Sequence, residues 1–239
     1  MALDLGAQNL KQKTLVVVAR YQEDISWIQA LDADVIIYNK GETFDYPWPR
    51  TDIPNKGREA ETYLRAILEV YENLHNYDRI AFMQGNPFDH YDRALQLFNE
   101  ETTTWTRING GSVKFDLAHE DFIGKYHYLI ISKLLDGCLV SKANLDWKGV
   151  ETPIPVDDEF MKIMIWCTLL GIDFKGKTSF WGPGAQYIVP VRFILNKSID
   201  WWQKCYELMD FSLRYANSDP LAPGDTFERI WPLIWDHTE

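Results

Sequence analysis

The chain has 239 residues, of which 46% are hydrophobic and 25% charged, and it carries a formal net charge of −11. That composition is typical of a globular protein with a substantial core, and the excess of acidic residues argues against nucleic acid and anionic membrane surfaces as partners. No run of 18 apolar residues and no signal-peptide pattern occurs, which predicts that the chain has no transmembrane segment and a cytoplasmic location.

The first half of the chain alternates apolar runs with one amphipathic segment. Short runs rich in β-branched residues at 14–19, 34–38 and 79–83 predict buried strands. Between the second and third runs, the segment 58–74 repeats apolar residues at the i, i+3, i+4 spacing of a helix. Buried strands that alternate with helices predict an α/β fold with a mostly parallel central sheet flanked by helices.

The second half is richer in helical patterns. The expected elements are helices at 122–136, 158–170, 199–216 and 226–235 and a strand at 185–189. Gly171 is expected to end the second of these helices. Because no repeat or linker interrupts the chain, we predict a single domain over residues 1–239, with a helix-rich C-terminal half and a flexible stretch at 1–13.

Polar residues follow each of the three predicted strands of the first half. The carboxyl ends of parallel strands share one edge of a sheet, and ligands of α/β proteins bind beyond that edge. We therefore expect a ligand site there. Its candidate residues are Ala19, Arg20, Tyr21, Glu23, Asn39, Lys40, Gln84 and Gly85.

The start of the predicted helix at 58–74 has the features of a phosphate site. Gly57 permits close backbone approach, a helix N-terminus offers free N–H groups, and Arg58 supplies a two-pronged donor. We predict that Asn55, Gly57 and Arg58 contact a diphosphate. The alternative is that Asn55 or a neighbour caps the helix and Arg58 pairs with Glu59, Glu61 or Asp92.

Asp89 and His90 follow the third predicted strand and carry groups that bind divalent cations. We predict a metal site there for Mn²⁺ or Mg²⁺. The alternative is structural: Asp89 caps the next helix and His90 hydrogen-bonds to a backbone carbonyl.

Two carboxylates of the second half are candidate general bases. Glu228 lies in an aromatic setting in which an unpaired carboxylate is costly, and Asp158 belongs to an acidic cluster at 157–159. The structural alternatives are a pairing of Glu228 with an arginine such as Arg229, and helix capping by the cluster. Trp181, in a loop-like context, is a candidate for stacking on a sugar ring.

Several segments resemble a protein family of unknown function. They are VVVARYQEDISW, IIYNKG, PNKGREAETYL, FMQGNPFDH, GAQYIVPVRFI and FERIWPLIW, and the resemblance covers roughly residues 14 to 236. The order of elements also resembles glycosyltransferases of the A-type fold. That resemblance implies a nucleotide loop at 19–23, an acceptor segment containing Gly184 and Gln186, and Glu228 as the base. The Asp-x-Asp motif of those enzymes is missing, and 84–90 stands in its place.

These observations predict a glycosyltransferase that moves a sugar from a nucleotide-sugar donor to a glycan or another hydroxyl acceptor. In this hypothesis Arg20, Tyr21 and Glu23 hold the nucleoside. The missing Asp-x-Asp motif motivates an alternative, a non-catalytic glycan-binding or scaffold protein on the same fold. A second alternative is a metal-dependent hydrolase built on Asp89, His90 and the 157–159 cluster.

Overall fold

The structure is a computed structural model that describes residues 12–108, 113–116, 163, 166–173, 178–181, 184–215 and 222–236. Its strands are β1 (Thr14–Arg20), β2 (Asp34–Asn39), β3 (Arg50–Asp52), β4 (Arg79–Gln84), β5 (Thr106–Arg107), β6 (Val113–Asp116), β7 (Thr178–Trp181) and β8 (Tyr187–Pro190). Its helices are α1 (Arg58–Val70), α2 (Val191–Leu195), α3 (Ile199–Tyr215) and α4 (Ala222–Asp236). Short 3-10 helices lie at Ser26–Ala30, Tyr71–Asn76, Pro87–Asp89 and Ala94–Asn99.

A mixed sheet of six strands in the order β3-β2-β1-β4-β8-β5 forms the centre of the fold. β3, β2, β1 and β4 are parallel to one another, β8 runs antiparallel to β4, and β5 runs antiparallel to β8. All seven residues of β1 are buried, because β1 lies at the centre of the sheet with both faces covered. The predicted α/β fold with a mostly parallel sheet is thus confirmed, and β6 and β7 form a separate antiparallel pair.

The two faces of the sheet are covered differently. Helices α1, α3 and α4 pack on one face, where the rings of Trp231 and Trp235 stack 5.0 Å apart and both lie over Phe82. The other face is covered by the 3-10 helices that contain Trp27 and Phe98. The described part of the C-terminal half is therefore mostly helical, and it supplies much of one core layer.

The structure differs from the predicted elements at several points. β3 and β5 were not expected, because they are short and polar and show no apolar pattern. The helix α4 begins at Ala222, four residues earlier than its apolar pattern indicated. A helix does end at Leu170 with Gly171 in the left-handed conformation, as predicted. The predicted helix at 122–136 and the start of the helix at 158–170 lie outside the described residues.

Candidate functional site

Three elements meet at the carboxyl edge of the parallel strands. Because β8 runs antiparallel to β4, its N-terminal end lies beside the last residue of β4. The Gln84 backbone N–H donates to Gln186 Oε1 at 3.3 Å, and Gln84 Nε2 donates to Glu59 Oε1 at 2.8 Å. Gln84 therefore links β4 to the first turn of α1 and to the segment before β8.

Glu228 approaches the same edge from helix α4. One carboxylate oxygen accepts the Gly184 N–H at 2.5 Å. Gly184 has a φ of 104°, and a Cβ added to it would lie 2.5 Å from Cδ2 of His90, so the His90 ring lies directly against this glycine. His90 and Glu228 therefore both lie beside Gly184. Gly184 is two residues before the buried Gln186.

Burial raises the pKa of the Glu228 carboxyl above its ordinary value. The Gly184 N–H acts in the opposite direction, and the nearby Glu59 carboxylate adds to the increase. Sequence reasoning had placed Glu228 at the start of the last helix, where the helix dipole favours the anion. In the structure Glu228 lies almost two turns after the start of α4. The helix dipole acts mainly on charges in the first turn, so it has little influence on Glu228. Desolvation is therefore the larger effect on the pKa of this carboxyl.

Glu23 adds a further carboxylate to this edge. Its Oε2 accepts the backbone N–H groups of Tyr21 at 2.7 Å and Gln22 at 3.1 Å. A Cβ on Gly85 would lie 2.4 Å from the same oxygen, so the carboxylate rests on the backbone that follows Gln84. A side chain at position 85 would therefore displace the Glu23 carboxylate.

Arg20 and Asn39 use their polar groups to hold the surrounding loops. Arg20 donates to the backbone carbonyls of Tyr21, Glu23 and Glu42 and to Asn39 Oδ1. Asn39 in turn donates to Asp52 Oδ1 at 2.8 Å. Both side chains are buried, and the predicted donor residue Ala19 is part of the core. The Tyr21 side chain is exposed at the rim.

The cationic residues near α1 contact acceptors of the protein itself. Lys40 Nζ donates to the carbonyls of Lys56 and Arg58, both at 2.5 Å, and lies 3.4 Å from the Glu61 carboxylate. Arg58 pairs with Asp225 on α4 at 2.6 Å, and both side chains are partly exposed.

The first turn of α1 has no side-chain cap. The N-cap residue is Gly57, in the left-handed conformation, and Asn55 is exposed. Of the expected caps, Asn55 is therefore wrong, whereas its neighbour Gly57 does occupy the N-cap position, without a side-chain hydrogen bond. Arg58 does form an ion pair, but its partner is Asp225, so the expected pairing with Glu59, Glu61 or Asp92 is wrong.

The predicted metal ligands do not form a complete site in the described part of the chain. Asp89 is exposed and accepts a hydrogen bond from Asn86 Nδ2 at 2.6 Å. Asn86 caps the short helix Pro87–Asp89 by accepting the Phe88 N–H. The next helix, Ala94–Asn99, begins after Arg93 without a side-chain cap, so the expectation that Asp89 caps it is wrong. The described residues contain no group of three or more His, Cys, Asp or Glu that could hold a metal ion. We therefore assign no chemical step to a metal.

The predicted acceptor half is described only in part. Gly184 and Gln186 lie at the site, Gln186 fully buried with its Nε2 donating to the carbonyl of Pro87 at 3.3 Å. The backbone of Trp181 is in β7, but its side chain lies outside the described residues, and so does Asp158.

Two residues near this edge were not among the predicted site residues, namely Glu59, which accepts a hydrogen bond from Gln84, and Tyr63, whose buried hydroxyl has no hydrogen-bond partner in the described part of the chain. They are four residues apart on α1 and so share one helix face. Glu59 had been considered only as a partner for Arg58, and Tyr63 only as an apolar core residue. An acid in the first turn of a helix is ordinarily a dipole partner, so the sequence carried no signal for either role.

A cavity of about 230 Å³ lies at the opposite edge of the sheet. Thr14 and Arg79, the first residues of β1 and β4, line it. The Arg79 guanidinium is nevertheless bonded to Thr14, Thr102 and the carbonyls of Phe98 and Glu100. Arg79 therefore uses its guanidinium donors to connect β4 with neighbouring segments, and these donors are already occupied.

Comparison with known proteins gives one match. Residues 15–109 match the model of a family described as a protein of unknown function (DUF3431), which confirms the expected resemblance to a family without a known activity. The matched stretch contains β1 to β5 and α1, and it ends before the segment that contributes Gly184 and Glu228. No curated protein and no solved structure matches the chain. No helix among the described residues combines the length and apolarity needed to cross a membrane.

Proposed function

We propose that this chain is a glycosyltransferase with an A-type fold, which transfers a sugar from a nucleotide-sugar donor to a hydroxyl acceptor. The observation that carries the proposal is the Glu228 carboxylate. It is partly buried at the ligand-binding edge of a mostly parallel sheet, its pKa is raised, and it has no ion-pair partner among the described residues. A purely structural carboxylate in such a place is normally paired with a cation.

The proposed reaction needs one base. The acceptor oxygen attacks the anomeric carbon of the donor, and its proton passes to Glu228. The bond between that carbon and the diphosphate oxygen breaks, and the diphosphate leaves with the electron pair. The Gly184 N–H holds the carboxylate in place, and positioning of the two substrates supplies much of the remaining rate enhancement.

The donor is proposed to lie across the first turn of α1. The pair of Arg58 with Asp225 is nearly half exposed, and exposed ion pairs contribute little stability. Arg58 can therefore exchange Asp225 for a diphosphate beside the free N–H groups of the helix. The exposed Tyr21 is the candidate for stacking on the nucleoside base.

The experiment combines donor binding with transfer. Purified protein is screened by thermal shift against common nucleotide sugars, with and without Mn²⁺, because a ligand that binds only the folded state raises the melting temperature. Transfer is then measured with the donor found. We expect Glu228→Gln to retain donor affinity and to lose transfer by about two orders of magnitude or more.

Glu207→Gln is the matched control. Glu207 is an exposed carboxylate on α3 that accepts a hydrogen bond from Gln203, and the variant should transfer sugar at the wild-type rate. If no donor changes the melting temperature, or if Glu228→Gln transfers at the wild-type rate, the proposal is wrong.

One observation favours a second candidate, a glycan-binding protein without transfer activity. At the described edge, Arg20, Lys40 and Arg58 each contact an acceptor of the protein itself. A diphosphate would therefore have to displace such an acceptor before it could bind any of these three cations. Binding on a glycan array in the absence of any nucleotide affinity would support this candidate over the transferase.

A further inference from the structure

Two carboxylates at the carboxyl edge have no direct ion-pair partner in the described part of the chain, although the charge of Lys40 acts on Glu59 and that of Arg229 acts on Glu228. Glu59 and Glu228 lie on different helices, and each of them accepts one hydrogen bond, from Gln84 and from Gly184 respectively. Neither forms an ion pair within the described chain. The cation next in sequence, Arg229, donates to the backbone carbonyl of Asp225. Two like charges in partly buried positions repel one another unless a positive charge lies between them.

Tyr63 provides an independent sign of a missing ligand. Its side chain is 1% exposed, and its hydroxyl has no hydrogen-bond partner. It lies one turn after Glu59 on α1, and its ring contacts Phe82 and Trp231, which is one turn after Glu228 on α4. The ionisable groups that influence this hydroxyl are Glu59, Glu228 and Tyr187. Buried hydroxyls are nearly always bonded in native proteins, so this one is open to a partner that the described residues do not supply.

The unused polar atoms around this point are mostly acceptors. Within the described part of the chain, Glu59 and Glu228 each keep one oxygen without a hydrogen bond. Gln84 donates its amide to Glu59 and thereby keeps its own oxygen. The Tyr63 hydroxyl accepts as readily as it donates. A primary ammonium group has three donors, no acceptor and a positive charge, and so it matches this set better than a neutral hydroxyl does.

We propose that Glu59, Gln84, Tyr63 and Glu228 form a subsite for a protonated amine, and that the acceptor is an amino sugar. The inference rests on the proposed function only for the sugar that carries the amine. Glu59 holds the ammonium group, and Glu228 faces the adjacent hydroxyl, whose proton it takes in transfer. The other ionisable groups around the subsite are Lys40, whose charge acts on Glu59, His90 beside Gly184, Tyr187, Asp225 and Arg229.

The test measures binding of three free sugars to the whole chain by calorimetry, without a donor. Glucosamine carries the ammonium group, N-acetylglucosamine masks it, and glucose replaces it with a hydroxyl. Because one charged hydrogen bond changes affinity by about tenfold or more, we expect glucosamine to bind at least about tenfold more tightly than either neutral sugar.

Two variants locate the preference. Glu59→Gln keeps an oxygen for Gln84 and removes the charge, so the preference for glucosamine should disappear. Tyr63→Phe should weaken glucosamine binding severalfold without lowering the melting temperature, since the hydroxyl it removes has no partner in the protein. Glu69→Gln is the matched control on the same helix, because Glu69 is exposed and bonded to Tyr38, and it should bind glucosamine like wild type.

Equal affinity for the three sugars, or an unchanged preference in Glu59→Gln, overturns the amine subsite. Loss of stability in Tyr63→Phe with unchanged binding assigns that residue to the core and removes it from the subsite. The proposed transfer activity is tested separately. It is contradicted if no nucleotide sugar binds, or if Glu228→Gln transfers sugar at the wild-type rate. Amine preference without donor binding would therefore support the subsite and refute the transferase.

Discussion

Single carboxylates in this protein have opposite surroundings. Glu61 is 1% exposed, accepts hydrogen bonds from Arg65 and Tyr206, and lies 3.4 Å from Lys40 Nζ. Glu228 has a comparable position against the aromatic core but only a backbone N–H as its partner. Glu61 belongs to a structural ion pair, whereas the ionised form of Glu228 lowers the free energy of unfolding because it is partly desolvated. Substitution therefore has opposite effects at the two positions.

Replacement of Glu61 by glutamine should strongly destabilise the protein. It leaves the Lys40 ammonium, only 5% exposed, without a counter-charge, and breaking a buried pair from one side costs about 3–5 kcal/mol. Urea denaturation measures the change in the free energy of unfolding. Glu69→Gln, an exposed acid on the same helix, is the control and should change it by less than about 1 kcal/mol. A Glu61 variant as stable as wild type would show that the pair has no net value.

The effect of Glu228 on stability should depend on pH. Its pKa is higher in the folded chain than its ordinary value of 4.5, so the folded state binds the proton more tightly than the unfolded state. Stability therefore falls as pH rises from the unfolded pKa to the folded pKa, and the penalty is constant above that window. Below the window the group is protonated in both states.

Glu228→Gln removes this penalty while keeping an oxygen for the Gly184 N–H. We expect the melting temperature of the variant to equal that of wild type below the window and to exceed it at neutral pH. Melting curves at a series of pH values would show the difference. A variant that is less stable than wild type at neutral pH would mean that the ionised carboxylate supports the fold.

At the level of elements, the approach of two helices determines where Glu228 lies. Helix α4 passes the start of α1 at Gly224, where an added Cβ would lie 2.7 Å from the Gly57 carbonyl oxygen and 2.8 Å from Arg58 Cβ. The backbones touch at this point, and Asp225 pairs with Arg58 beside it. Glu228 follows Gly224 by one turn, so the contact also determines the depth of its carboxylate.

Gly224→Ala should separate α1 from α4. The atoms in the way belong to backbone and Cβ positions, so the helices must move, and overpacking of this kind costs about 1–3 kcal/mol. Because Glu228 moves with α4, amine binding and transfer should fall as well. Gly171→Ala is a useful comparison: it introduces left-handed strain of about 1–2 kcal/mol but meets no neighbouring atom, so it should lower stability alone. Equal binding in both variants would contradict the proposed role of the crossing.

At the level of the whole molecule, the sheet is closed by a distant part of the chain. β8 lies between β4 and β5, although both of those strands precede it by about eighty residues or more. The core beside Phe82 is completed by Trp231 and Trp235. The stretch that matches the family model, residues 15–109, contains neither β8 nor these tryptophans.

A fragment of residues 15–109 should therefore fail to fold. Without β8 the edge of β4 is unpaired, and without α4 the apolar face over Phe82 is open to water. Circular dichroism during urea titration should show a gradual change for the fragment and one cooperative transition for the whole chain. A cooperative transition in the fragment would instead show that the matched stretch is an independent domain.

The sequence alone determined the elements whose signals are local. The β-branched runs of β1, β2 and β4 and the periodic apolar face of α1 specify their own conformation, since both patterns follow from short-range geometry. The polar residues after these strands predicted a ligand site at this edge, and the aromatic context of Glu228 selected it as a candidate base; both stay predictions.

Only the tertiary structure decided which side chains meet. The antiparallel direction of β8 brings Gln186 to Gln84, and the crossing of α1 with α4 pairs Arg58 with Asp225 and places Glu59 near Glu228. These contacts join residues more than a hundred positions apart, and their partners are selected by the packing of whole elements. Local propensity carries no information about such pairings, because it depends on neighbours within a turn or a strand.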